Sequence, residues 1–129
     1  MVSLITDVGK IAALKRIFGM TQDPFTYMGL GKSSSTPTGA NLTLGTECVS
    51  GTETGYARVA VTNEIDLVNK KCVSSATFLE TNISVSTTIK EIGLFTASTG
   101  GDLFGISQIP DTIKDGTKAL KFKATTTVV

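Results

Sequence analysis

The stretch Lys90-Glu91-Ile92-Gly93-Leu94-Phe95, followed by Thr99-Gly100-Gly101-Asp102-Leu103-Phe104, decides the fold of this chain. It reads as strand, glycine turn, strand. Gly100-Gly101 supplies the positive φ that a tight hairpin turn needs, so residues 87–96 and 102–109 are predicted as the two arms of a β-hairpin. Pro110 is expected to stop the second arm, because proline has no N–H to give to the ladder. Upstream, residues 56–63 alternate: Ala57, Val59 and Val61 face one way, and Tyr56, Arg58, Ala60 and Thr62 the other. That is the period of a half-buried strand.

The same alternation recurs towards the C-terminus. Leu120, Phe122, Ala124, Thr126 and Val128 point one way, and Lys121, Lys123, Thr125 and Thr127 the other. Residues 72–80 and 25–31 also read as strands. Residues 32–41 are rich in Ser, Thr, Pro and Gly and are predicted as a loop. Residues 42–48 can be a loop pinned to the core by Leu42, Leu44 and Cys48, or a strand. Residues 50–55 and Asp115-Gly116 read as turns, and residues 64–71 as a loop or poor strand end. Roughly six or seven short strands separated by turn signals predict a mainly β fold, an antiparallel β-sandwich or barrel-like domain.

One helix is predicted, over residues 6–18. Thr6 or Asp7 can cap it, Lys15 and Arg16 suit the C-terminal end of its dipole, and Gly19 sits where a left-handed residue closes a helix. Val8, Ile11, Leu14 and Phe18 recur at three- and four-residue steps and make one apolar stripe. The stripe has two readings: it docks the helix on the sheet, or the helix is an arm that packs on a neighbouring subunit. The expected organisation is one domain over residues 1–129, with a helix or arm at 1–19 and the sandwich at 24–129.

Composition narrows the chemistry. Charged residues are 18% of the chain, and Thr, Ser and Gly fill the difference from the usual quarter, which favours strands and turns. The net charge of +1 offers no field to draw in nucleic acid or an anionic membrane, so neither is expected as a partner. No apolar run reaches the length of a membrane span. With no His in the chain, Ser-His-Asp and Cys-His catalysis and His-ligated metals are excluded. Cys48 and Cys72 read as two small buried hydrophobes, or as a disulfide if the fold brings them within reach. Gly29-Leu30-Gly31-Lys32-Ser33 looks like a phosphate loop but has Thr26 where that motif needs its first glycine. The carboxylates are scattered along the chain. No catalytic, cofactor or metal residue is assigned, and no enzyme is expected.

Glu91 stands out as a charge on an otherwise apolar strand. If it is half-buried it needs a partner, and Arg58, on another predicted strand with small neighbours, is the candidate for a bidentate one; the other reading leaves both side chains solvated on an exposed sheet face.

The order of segments carries a resemblance. Ile5-Thr6-Asp7-Val8-Gly9-Lys10 opens the helix, and Tyr27-Met28-Gly29-Leu30-Gly31 follows, with Thr36-Pro37-Thr38 soon after. Then come Gly55-Tyr56-Ala57-Arg58-Val59-Ala60-Val61-Thr62, Ile89-Lys90-Glu91-Ile92-Gly93-Leu94-Phe95 and Gly100-Gly101-Asp102-Leu103-Phe104. Over residues 5–128 this resembles a group of small tail-fibre-like structural proteins of tailed bacterial and archaeal viruses. Lys90-Glu91 stands where part of that group has a Thr-His type pair, and the two cysteines lie outside its pattern. The resemblance implies a non-enzymatic virion protein of the tail, fibre or baseplate apparatus, or a fibre adaptor. It would act by assembly with other capsid, tail or fibre subunits and with its own copies. The alternatives are a decoration protein on the capsid surface, and a receptor- or carbohydrate-binding module built on Phe25, Tyr27, Tyr56 and Phe104. Expected assembly contacts are Val8, Ile11, Leu14 and Phe18 on the helix and Thr125, Thr127 and Val129 on the last strand, whose edge is open to pairing.

Overall fold

The computed structural model describes residues 2–127. Its elements are β1 (Ser3–Ile5), α1 (Asp7–Ile17), β2 (Tyr27–Gly31), β3 (Val59–Ala60), β4 (Thr62–Asp66), β5 (Lys71–Phe78), β6 (Thr87–Phe95), β7 (Leu103–Lys114) and β8 (Leu120–Thr127). One sheet has the order β1-β7-β6-β2-β3 and the other β4-β5-β8, and every pair of neighbours is antiparallel. The fold is the mainly β sandwich that the alternation predicts. Its principal core lies between the sheets: Met28, Leu30, Ile89, Ile92 and Leu94 from the larger sheet meet Ala76, Phe78, Phe122 and Ala124 from the smaller. Phe78 and Phe122 pack edge to face at 5.7 Å, a favourable arrangement of their ring quadrupoles.

The hairpin of β6 and β7 closes on Gly100 and Gly101, both at positive φ, as their sequence requires. β7 nevertheless runs through Pro110 to Lys114, so the expected stop is corrected. Ile89 pairs with Thr112 and Glu91 with Gln108, which leaves Ile109–Asp111 opposite Lys90 alone. Proline is tolerated because it sits in this bulge, where no ladder bond needs its N–H. A second shift, between Leu94↔Gly105 and Phe95↔Leu103, leaves Phe104 unpaired with β6.

Residues 56–66 also depart from the reading. They form two strands in two sheets: β3 pairs with Tyr27 and Met28, the chain switches sheets at Val61, and β4 pairs with β5. Val61 N–H donates to Thr26 O at 2.8 Å, which fixes the crossing. Residues 46–48 resolve the ambiguous segment, since Cys48 N–H donates to Leu30 O and Lys32 N–H to Thr46 O. They cover the part of the β2 edge that β3 is too short to reach. The strand β1 escapes the sequence reading, for three residues before a helix cap give no measurable period.

Thr6 caps α1 as predicted. Its Oγ1 accepts from Gly9 N–H at 3.0 Å and donates to Leu103 O at 2.6 Å, and its own N–H donates to Phe104 O. The unpaired Phe104 therefore supplies a free carbonyl to the helix start. At the other end Gly19 has φ +73°, with Gly19 N–H on Arg16 O and Met20 N–H on Lys15 O, a Schellman closure.

The side of the helix that meets the sheet is the unexpected one. Gly9 and Ala12 are its buried residues, and a Cβ at Gly9 would overlap the Phe104 carbonyl. Ile11, Leu14 and Phe18 face solvent, 54%, 56% and 75% exposed. Small residues let the helix axis come close to β7, and the bulky stripe is turned out as a consequence. The reading in which the stripe docks the helix on the sheet is corrected.

Candidate functional site

Three carboxylates, Glu53 and Glu91 buried and Glu47 partly so, organise the larger sheet and the long segment between β2 and β3. Glu47 sits in that segment. Arg58 grips it with two parallel bonds, Nε to Oε2 and Nη2 to Oε1, each 2.8 Å. The remaining guanidinium nitrogen donates to the carbonyls of Ala97 (3.0 Å) and Gly100 (2.7 Å) in the β6–β7 turn, and the Arg58 Cζ lies 3.5 Å over the Phe95 ring. Tyr56 O–H donates to Glu47 Oε2 at 2.5 Å and accepts from Leu30 N–H at 3.1 Å. Burial works against the Arg58 charge, but the Glu47 bonds outweigh it and raise the guanidinium above its usual range. Burial, then the Glu47 bond, pushes the Tyr56 phenol far up. Arg58 thus ties a loop, a hairpin turn and an aromatic ring to one point.

Glu91 is 2% exposed and its partners are backbone groups. Ser33 N–H and Thr46 N–H donate to Oε2 at 3.0 and 2.9 Å, and Gly45 N–H donates to Oε1 at 2.9 Å. The expected Arg58–Glu91 pair does not form. The register explains why: Glu91 lies opposite Gly31 at one end of β2, whereas β3, which follows Arg58, pairs with Tyr27 and Met28 at the other. At 3.4 Å per residue the two positions are about 10 Å apart along the strand. Gly31 lacks a side chain because Glu91 fills that space, and Gly29 because Glu47, Phe95 and Tyr56 do. The glycines of the phosphate-loop look-alike are packing glycines.

Glu53, also 2% exposed, has Lys32 Nζ 2.6 Å from Oε1, and that bond raises the lysine above its usual value. Its Oε2 has no hydrogen-bond partner among the described residues. Cys48 and Cys72 are both free, Cys48 buried and Cys72 partly so. Burial first, and then nearby Glu53, pushes the Cys48 thiol up to about 12, which keeps it protonated and unreactive at neutral pH. Lys114 is fully buried, with Nζ donating to Ile83 O at 3.1 Å and Asp115 O at 2.6 Å. It anchors the strained Ile83, a β-branched residue at φ +59°.

Among the described residues no group of three or more His, Cys, Asp or Glu side chains could hold a metal ion, and no helix is long and apolar enough to cross a membrane. The four aromatics of the receptor reading do not gather on one surface. Phe25 stacks on Phe104 at 5.0 Å, Tyr27 packs with Leu44, Phe95, Leu103 and Ile106, and Tyr56 is committed to Glu47.

What the molecule shows outward is different. Ile11, Leu14, Ile17, Phe18 and Met20 are all more than half exposed on or just after one short helix. Val8, expected among them, is half-buried. Ile17 and Met20 were missed, although Ile17 is the helical neighbour of Leu14 and the Schellman turn carries Met20 back towards the same turn. On β8, Thr125 and Thr127 are exposed, and among the described residues only one edge of that strand is paired, to β5. Val129 lies outside the described residues.

These features are those of a structural subunit: polar groups spent on fixing loops, and apolar groups left on the surface. The comparison with protein families agrees. A family model described as Gp80, the podophage GP4 fiber I protein gp80, matches residues 11–129, and the chain belongs to that family. It is a tail-fibre protein of a phage with a structural role, and its place is in the virion. No curated protein matches the chain.

Proposed function

We propose that this protein is a non-enzymatic subunit of the tail fibre apparatus that works by protein–protein assembly, with the outer face of α1 and the exposed side of β8 as its contact surfaces. The observation that carries this reading is the outward apolar stripe. A helix that docks through Gly9 and Ala12 and shows Ile11, Leu14, Ile17 and Phe18 to solvent leaves surface whose natural cover is another protein. The non-enzymatic part is supported by the state of the polar groups: Glu47 and Glu91 are both engaged by hydrogen bonds within the fold.

The test is the copy number of this protein relative to the major capsid protein in purified particles, with a variant lacking residues 1–18 alongside. A few to a few dozen copies per particle is expected for a fibre component; because the deletion also removes β1 and the buried Thr6, the full chain carrying Leu14→Asp and Phe18→Asp is assayed beside it and should fold yet fail to be incorporated. Hundreds of copies would move it to the capsid surface. Unhindered incorporation of the truncated protein would remove the helix from the interface.

A further inference from the structure

The two edge strands of the smaller sheet differ in charge. Among the described residues β4 and β8 are each paired on one side only, to β5. On β8, Lys121 and Lys123 are exposed on the outer face, and Phe122 and Ala124 are buried beneath. The same outer face of β4 carries Glu64 and Asp66, since Glu64 lies across from Val73 and Val73 across from Thr125. Asp66 accepts from the Val68 and Asn69 amides and the Asn69 side chain. Glu64 is exposed and makes no ion pair among the described residues.

The edges also differ in shape. Beside β8 a groove of about 280 Å³ lies between residues 124–127 and the larger sheet. Ser3, Ile5, Gly105 and Ser107 line it and share the inner face of their sheet with Ile92 and Leu94. Three of these four are small, which leaves room for larger side chains. On β4 the condition is reversed. Ile65 belongs to the inner face, across from Cys72, yet it is 66% exposed, and Leu67 and Val68 in the turn beyond are 83% and 84% exposed. One edge has uncovered apolar side chains, and the other has a hollow that lacks them.

Charge selects which edges meet. Joining β8 to the β8 of another copy brings two basic edges together, and joining β4 to β4 brings two acidic ones, and like charges side by side oppose pairing. Joining β4 to β8 sets acid beside base. The two strands run in the same direction, because both are antiparallel to β5. Copies repeated in one orientation therefore set β4 parallel to the β8 it meets. Lys70 and Lys71 at the β4–β5 turn then lie towards Thr125, Thr126 and Thr127, which carry no charge, and Leu67 lies towards the groove. The reverse direction would carry Lys70 towards Lys118 and Lys121.

We infer that copies of this chain assemble head to tail: β4 of one copy lies along the free edge of β8 of the next, with Glu64 beside Lys121 and Lys123 and with Ile65 and Leu67 over the hollow at Ile5 and Gly105. This rests on the assembly reading above and names the occupant of the β8 edge. The contact joins two different surfaces, so it closes only with three or more copies or extends as a chain.

Sedimentation velocity of the full chain over a concentration series tests it, and species of three or more copies are expected. Glu64→Lys and Leu67→Asp should each weaken the assembly about tenfold or more, with an unchanged circular dichroism spectrum because both side chains are exposed. Leu42→Asp, at an exposed loop site, should leave it intact. Lys123→Glu added to Glu64→Lys should recover most of the loss. In a mixture of isotope-labelled and unlabelled chains, a zero-length carbodiimide cross-link should join Glu64 of one kind to Lys121 or Lys123 of the other. A monomer or dimer at every concentration, assembly indifferent to both Glu64→Lys and Leu67→Asp, or cross-links confined to single chains overturns the proposal. Particle incorporation separates the two readings. A monomeric protein still built into particles defeats head-to-tail association alone, and one absent from particles defeats the assembly role as well.

Discussion

The clamp around Arg58 and the outer face of α1 use opposite chemistry. In the clamp a charged side chain is satisfied on every side by a carboxylate, two carbonyls and a ring. On the helix, large apolar side chains are more than half exposed. The clamp explains the segments that recur in the resemblance. In Gly55-Tyr56-Ala57-Arg58, Gly55 holds φ +86° against the Thr81 carbonyl, and Tyr56 and Arg58 hold Glu47. In Glu91-Ile92-Gly93-Leu94-Phe95, Glu91 holds the loop and Phe95 floors the guanidinium. In Gly100-Gly101, Gly100 makes the turn that Arg58 caps. The motifs specify the fold, and the proposed contact surfaces lie in residues that carry no motif.

The most severe way to break this contrast is Arg58→Ala. It leaves the partly exposed Glu47 with Tyr56 as its remaining side-chain partner and should cost about 3 kcal/mol in urea unfolding. Glu91→Gln puts an amide N–H₂ among three N–H donors and should cost about 2 kcal/mol. Its amide exchange should rise first at Ser33, Gly45 and Thr46. Gly9→Ala drives a methyl into the Phe104 carbonyl. It should cost roughly 2 kcal/mol locally, read as faster hydrogen exchange over residues 7–17 with β6 and β7 unchanged.

Titration probes the buried side more gently. The Cys48 thiol is raised from 9.0 to about 12 in the folded chain, so the folded state keeps a proton that the unfolded state loses. The stability this represents is intact below about pH 9 and lost as pH rises towards 12, at no more than about 1.4 kcal/mol per pH unit. Cys48→Ala should flatten that alkaline decline in thermal melts recorded across the range. The smallest effect falls on the other side of the comparison. Leu14→Asp should change unfolding stability by no more than about 0.5 kcal/mol, because Leu14 packs on nothing in its own chain that needs it.

Much of the sandwich is legible from local signals. Alternation gives β5 and β8, the glycine pair gives the hairpin, and Thr6 and Gly19 mark the helix ends. Where local signals compete, the reading goes astray. Pro110 is a stop only if its nitrogen sits where the ladder needs a donor, and a register shift, invisible in one strand, decides that. The stripe on α1 identifies an apolar face without saying what covers it. The clue to its direction is on the opposite side, where Gly9 and Ala12 mark a close approach. Arg58 and Glu91 are both rightly suspected of needing partners, but pairing them requires the strand register. Glu47 was overlooked because it sits in the ambiguous segment 42–48. Its signal is that it is the first acidic residue after Asp23, alone in a neutral stretch and next to a cysteine.

The reach of Arg58 has a consequence in time. Its hydrogen-bond partners lie 11, 39 and 42 residues away in sequence. A knot of such distant segments is expected to close late, after the hairpin and the sheets have found one another, which the folding and unfolding rates of Arg58→Ala would check. Bonds that form after the folding barrier leave the folding rate almost untouched and slow the rate of unfolding. On that expectation Arg58 sets the lifetime of the folded chain rather than the speed of its folding.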